Sequence, residues 1–199
     1  MIICRLELIM INKKFIQQLK KNYGDHESER RQIISLSNVV LHDSKRVIFA
    51  VHRENMTRAE ESLSEIEKIL ATLEKKFGHN RLVEEGAYKA GLEEYVEAKL
   101  FYTLITDDKI DAIKDLEINA ESYLSGISDL TGELVRHAVN QAATGKVKEV
   151  AKIKSIIDDI MAELIEFDMT GYQRTKYDQA KMNLRKIEQI NYEINLRKK

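Results

Sequence analysis

Gly91-Leu92-Glu93-Glu94-Tyr95-Val96-Glu97-Ala98-Lys99-Leu100-Phe101 is the stretch on which the reading of this chain turns. After Gly91 it holds no helix breaker. In a helix, Glu94 and Glu97 stand three residues apart and share one face, within reach of one cation. Ala90, Phe101 and Leu104 recur on that face at helical spacing, so the face is expected to point inward. Carboxylates on an inward face need a counter-charge, because burying bare charge is costly. A second pair, Asp129 and Glu133, follows at i, i+4, again one face of one helix. Four carboxylates from two helices would make an oxygen-only cation site. Such donors favour Mg²⁺ or Mn²⁺ over zinc or iron.

Composition agrees with helices throughout. The chain has 199 residues, 43% hydrophobic and 33% charged, with no proline and only 8 glycines. That mix suits helices with one wet face and one dry face, and no proline forces a break. The fold class is all-α, and the length suits one domain over 1–199 with a real core. The net charge of −1 gives no global basic signal, so nucleic-acid binding would have to come from a local patch. Cys4 is the only cysteine. It excludes an internal disulfide framework and a cysteine-based zinc site, and it accords with a reducing cytoplasm. No apolar run approaches the roughly 20 residues of a membrane span. Residues 1–9 are expected to be an upstream extension, with translation starting at Met10.

Working outward from the acidic stretch, the apolar rhythm marks out a series of helices. A short helix over 13–21 should end at Asn22-Tyr23-Gly24, with glycine in the left-handed cap position. From 25 to 77 there is no breaker, so one very long helix is expected, or two with a bend near 54–57. Gly78-His79-Asn80 interrupts the pattern, and a helix over 81–105 then carries the first acid pair. Gly86 and Gly91 within it would let another backbone approach closely. After a turn at 106–108 and a short segment at 110–113, a helix over 116–143 carries the second acid pair. A turn at 144–146 leads to a helix over 147–167, whose core stripe includes Ile153, Ile157, Ile160, Leu164 and Ile165. Thr170-Gly171 breaks it, and a last helix runs over 172–196 with Tyr177, Met182, Leu184 and Ile187 on its apolar side.

Several chemistries fit less well. A ferritin-like di-iron bundle uses Glu-x-x-His on two helices. None of His26, His42, His52, His79 and His137 has a glutamate three residues before it. His42, His52 and His137 instead read as structural hydrogen-bonding residues. Glu93-Glu94-Tyr95-Val96-Glu97 resembles the first motif of MazG-like nucleotide pyrophosphohydrolases. That family follows it with Glu-x-x-Asp, and Asp129 and Glu133 have the wrong order and spacing. Basic residues gather at Lys45, Arg46, His52 and Arg53, and again at Lys75, Lys76, His79 and Arg81. By charge alone these read as solvated faces.

Two long motifs carry a more specific resemblance. Residues 91–98 and Tyr123-Leu124-Ser125-Gly126-Ile127-Ser128-Asp129-Leu130-Thr131-Gly132-Glu133-Leu134-Val135-Arg136 resemble the translin superfamily, specifically its translin-associated factor X branch. Ser44-Lys45-Arg46-Val47-Ile48-Phe49-Ala50-Val51-His52-Arg53 is similar to the family's early helix, and 184–197 to its last one. The resemblance implies a translin fold of about seven helices with a long first helix, assembled as closed, roughly football-shaped oligomers, usually octamers. It further implies a Mg²⁺-dependent endoribonuclease acting on single-stranded, nicked or partly paired RNA, and possibly binding DNA. The catalytic and metal-binding acids then fall on Glu94, Glu97 and Asp129, with Glu133 as the fourth. Lys45, Arg46, Arg53, Arg81 and Lys89 are the candidate nucleic-acid contacts. The eukaryotic branch works in a hetero-oligomer and carries basic targeting and linker segments not found here. This chain therefore resembles a prokaryotic, archaeal homologue that assembles with itself. The competing class is a non-catalytic assembly binding single-stranded RNA or DNA, with the acids as buried structural charges. Without metal, mutual repulsion should raise the pKa values of the acids.

Overall fold

The computed structural model describes residues 11–107, 109–114 and 116–196. Cys4 and the expected extension before Met10 lie outside them. Seven α-helices and no strand are present among the described residues: α1 (Lys13–His52), α2 (Met56–Phe77), α3 (His79–Leu82), α4 (Gly86–Asp107), α5 (Ala120–Ala143), α6 (Val147–Leu164) and α7 (Gly171–Leu196). None of them is long and apolar enough to cross a membrane.

The expected short helix over 13–21 does not end at Gly24. Asn12 caps α1 by accepting from the Phe15 amide, and the helix continues for 40 residues. A side-chain hydrogen bond from Gln18 to Asn22 runs up to the expected break. Glycine within a helix costs about 1 kcal/mol relative to alanine, which a helix of this length can absorb. The break after α1 comes instead at Glu54, a non-glycine residue with φ 59°. The Asn55 side chain then caps α2 by accepting from the Arg58 amide. Of the two expectations for 25–77, two helices is therefore the one observed.

Further boundaries shift for local reasons. The helix expected over 81–105 is split: Leu82 closes α3, and α4 starts at Gly86. The helix expected from 116 starts at Ala120, because the Asn119 side chain accepts from the Ser122 amide at 2.7 Å. Asparagine is among the best N-caps. α6 ends at Leu164, so Ile165 and Phe167 lie exposed, and Met182 on α7 is exposed as well. Those residues do not join the core stripes in which the periodicity places Ile165 and Met182.

Packing places α4 in the middle. It lies against α1 on one side and α5 on the other; α2 backs α1, and α6 and α7 back α5. One contiguous hydrophobic cluster joins them, including Val40, Val47, Tyr95, Phe101, Leu130, Leu134, Ile157 and Ile187. Two glycines set the close approaches to α4. A Cβ on Gly91 would stand 2.8 Å from the Ser37 carbonyl oxygen of α1. One on Gly126 of α5 would stand 2.5 and 2.7 Å from Val96 side-chain atoms of α4, and 3.1 Å from the Glu93 carbonyl oxygen. Gly86 has no such neighbour, so of the two glycines expected to admit another backbone only Gly91 does so.

Gly126→Ala is expected to force α5 away from α4 and to destabilise the protein by about 1–3 kcal/mol, the usual range for overpacking a tight contact. Gly132→Ala, where the nearest atom is the Asn183 side-chain amide at 3.4 Å, should cost much less. Chemical denaturation of both variants checks the difference.

Candidate functional site

The acid cluster forms where α4 and α5 face one another. Helical spacing turns Glu94 and Glu97 of α4 toward the face from which α5 presents Asp129 and Glu133. The Gly126 contact keeps the two backbones close just before that point. Phe101, one turn beyond Glu97, is fully buried. Ala90, expected on the same inward face, is exposed instead, although Tyr88 before it and Gly91 after it are buried.

Basic side chains reach this cluster from the two flanking helices. From α1, Lys45 lies 3.9 Å from Glu94, and His52 Nε2 lies 2.5 Å from Glu133 Oε2. Lys45 and His52 are seven residues apart, two turns, so they share one face of α1. From α7, Lys176 Nζ donates to Asp129 Oδ2 at 2.5 Å. One turn earlier on α7, the Tyr172 hydroxyl donates to Glu93 Oε2 at 2.9 Å. Arg136 adds a 3.3 Å contact to Glu133 Oε2.

Glu97 stands apart. It is 8% exposed, and among the described residues it has no hydrogen-bond or ion-pair partner. Burial pushes its carboxyl up to about 9, with the charges of Asp129, Glu94 and Glu133 adding to the shift. Glu94 is raised too, by burial and Asp129, against the pull of Lys45. Glu133 goes the other way. Burial acts to raise it, but the His52 hydrogen bond and charge, together with Arg136, hold it below the ordinary range. The expected rise of acid pKa values thus holds for Glu94 and Glu97, with burial a larger cause than repulsion, and fails at Glu133, which has two donors of its own. Burial acts to lower Lys176, yet its bond to Asp129 and its contact with Tyr172 raise it.

His52 reads as the sequence suggested, a hydrogen-bonding residue. It is buried against Phe101, with ring centroids 4.9 Å apart, and near His137 at 6.0 Å. Burial, and then the charge of His52, depress His137 below its ordinary value.

The basic candidates separate. Lys45 belongs to the cluster. Arg46 bonds Asp43 at 2.7 Å, and Arg53 stacks over the half-exposed Phe49 ring at 4.5 Å. Both arginines line a surface cavity of about 420 Å³ with Asn55 and Arg58. Arg81 is turned inward: its guanidinium meets Glu29, Glu84 and Glu85, so its charge is matched within the fold and it does not join the cluster. Lys89 is exposed on the first turn of α4. Sequence reasoning missed Lys176 and Tyr172. Their i, i+4 spacing puts them on one face of α7, but that spacing is ordinary in a chain this rich in charge.

As the side chains stand, no three His, Cys, Asp or Glu residues among those described converge closely enough to hold an ion. Glu94, Asp129 and Glu133 turn to Lys45, Lys176 and His52. The donor set nevertheless suits a hard divalent cation: it is all oxygen, drawn from two facing helices, with one buried carboxylate unpartnered and an ammonium standing where a counter-ion would.

Comparison with known proteins sets this geometry in context. The profile of the Translin family matches residues 28–198. An uncharacterized protein of Methanocaldococcus jannaschii is 27% identical over 150 residues, covering 74% of this chain and 67% of its own length. Translin-associated protein X of Rattus norvegicus is 26% identical, covering 93% of this chain and 77% of that protein. Among solved structures, that of apo-NeC3PO superposes with a TM-score of 0.81 at 23% identity, covering 92% and 97% of the two chains. AfC3PO in complex with duplex RNA gives a TM-score of 0.80 at 19% identity, with 91% and 96% covered. These two share the helical fold described above.

The raised Glu97 carboxyl has a measurable consequence. Its folded pKa exceeds its unfolded value near 4.5, so between those values the folded state binds more protons than the unfolded one. Without divalent ions, stability should therefore fall as pH rises from about 4.5 toward 9. Glu97→Gln should flatten this slope and be the more stable protein at pH 8, by on the order of a few kcal/mol. Urea denaturation in EDTA across that pH range checks both points.

Proposed function

The chain belongs to the translin family, and on that premise we propose that it is a divalent-cation-dependent endoribonuclease, assembled as a closed homo-oligomer and acting on single-stranded or partly paired RNA. One observation carries this reading. Glu97 is buried and unpartnered beside three further carboxylates, an arrangement that costs stability unless a cation joins it. The octamer of the family resemblance is part of the proposal, as is the assignment to the translin-associated factor X branch. Relatives named Translin-associated protein X and the solved complex of AfC3PO with duplex RNA support the RNA side. A cytoplasmic setting is also proposed, on the single cysteine.

Glu94, Glu97 and Asp129 would hold the cation, with Glu133 as the fourth acid. Mg²⁺ or Mn²⁺ there would supply Lewis acidity, offsetting charge on the phosphate and acidifying water. Glu97 must lose its proton before it can serve as a ligand, so cation affinity should rise with pH. Glu133 stays ionised because His52 and Arg136 both engage its Oε2, and its Oε1 carries neither bond. That oxygen can orient a water or take its proton. His52, wedged between Phe101 and His137, fixes the carboxylate's direction. Lys45 beside the cluster, with Arg46, Arg53 and Lys89, offers a positive rim for the phosphates of a strand. Arg81 is left out, being matched by three glutamates.

The family match takes in both acid pairs. That match supports the translin reading of Glu93 to Glu97 over the pyrophosphohydrolase one. A binding-only protein is the second reading. It is favoured by the ion pairs of Glu94, Asp129 and Glu133 with Lys45, Lys176 and His52, which are what structural charges would make.

A labelled single-stranded RNA incubated with Mg²⁺ separates the two. The parent protein should cleave it, and EDTA should abolish cleavage. Glu97→Ala and Asp129→Ala should each lose about 100-fold or more, at least as much as an outer-shell partner costs. RNA bound by all three proteins and cut by none would establish the binding-only reading.

A further inference from the structure

The geometry points to Lys176 as a built-in counter-cation of the acid cluster, which a divalent ion must displace or outweigh in order to bind. The inference rests on the cation-site reading above.

Lys176 arrives from α7, outside the helix pair that carries the four acids. Its ammonium is 2.5 Å from Asp129 Oδ2, and its side chain is 16% exposed. Tyr172 holds it from behind: the ring centroid is 5.4 Å from Nζ, while the hydroxyl of the same ring is tied to Glu93. The charge of Lys176 also acts favourably on Glu93, Glu94 and Glu97. Lys45 is a weaker rival, since its contact with Glu94 is 3.9 Å long and its side chain is 58% exposed.

A single positive charge serves this cluster incompletely. The ammonium is bonded to Asp129, and Glu97 is left with no partner. A divalent ion would carry twice the charge and accept oxygens from several acids at once. Both cations, however, draw on Asp129. Placing them side by side costs Coulomb energy that is large where water is scarce. Lys176 therefore relieves the repulsion in the ion-free protein and weakens ion binding by the same interaction. A loosely held, exchangeable ion is the consequence.

The test is Mn²⁺ binding to the full chain, with free ion measured by electron paramagnetic resonance, so that no catalytic readout is needed. Lys176→Met should bind Mn²⁺ about tenfold or more tightly than the parent, because one opposing charge has gone. Lys176→Arg, which keeps the charge, should stay close to the parent. Lys181→Met, an exposed lysine of the same helix, should leave affinity unchanged. Asp129→Asn should abolish binding. A second measurement needs no variant. In the parent, acylation of the Lys176 amine, followed by mass spectrometry, should be slow in EDTA and faster once Mn²⁺ is bound. Parent binding with an unchanged or weakened Lys176→Met, or with Lys176 acylation indifferent to Mn²⁺, overturns the counter-cation role and leaves the ion site standing. Absence of Mn²⁺ binding in both the parent and Lys176→Met overturns the ion site itself, and this inference with it.

Discussion

Four carboxylates cannot share one small space without positive charge, and that constraint reaches well beyond the site. Glu94, Glu97, Asp129 and Glu133 come from the two central helices. The side chains that make their proximity tolerable come from the two flanking ones: Lys45 and the hydrogen-bonding His52 from α1, and Lys176 from α7. The buried stripes of α1 and α7 set how these helices are turned, and in that setting each presents a basic edge to the acids. Three of the four acids are matched in this way. The shortfall at Glu97 is therefore local, a property of one residue in an otherwise balanced cluster.

Close backbone approach supplies the complementary condition. Gly126 brings α5 onto Val96 and the Glu93 carbonyl, one turn before Asp129. Gly91 does the same between α4 and α1. α4 is thus seated on both sides by glycines that stand next to its acids. Precision in the cluster follows from packing on rigid elements, which holds a constellation better than loops do.

The acids themselves were legible because helical geometry fixes what spacing means. Glu94 with Glu97, and Asp129 with Glu133, can each share a face in only one way. The same periodicity marked the helical stretches, while the count of about seven came with the family resemblance. The periodicity did not mark their ends, for reasons that differ from place to place. Gly24 suggested a stop, but a glycine in a long solvated helix is merely less favourable than alanine. The real stop at Glu54 carries a positive φ on a residue whose side chain gives no sign of it. Asn119 was a readable cap that the apolar rhythm around Leu116 and Ile118 obscured. Lys176 and Tyr172 were invisible for another reason. Their partners lie on other helices, 47 and 79 residues away, and no local pattern records a pairing of that range.

The first part of α1 behaves differently from the rest of the fold. From residue 11 to residue 32 no side chain is buried, and Ile33 is the first core residue. Among the described residues the earliest ion-pair contact beyond α1 is that of His26 with Glu84, in the turn between α3 and α4. Residues 13–25 therefore extend about 20 Å at 1.5 Å per residue, with Phe15, Leu19 and Tyr23 exposed one turn apart along one side. Isolated helices of that length are marginal in water. This arm propagates from the buried half of α1 and, among the described residues, adds only local hydrogen bonds, the Asn12 cap and the Gln18–Asn22 bond. It is therefore the part of the fold that frays first, and its loss would leave the core and the acid cluster in place.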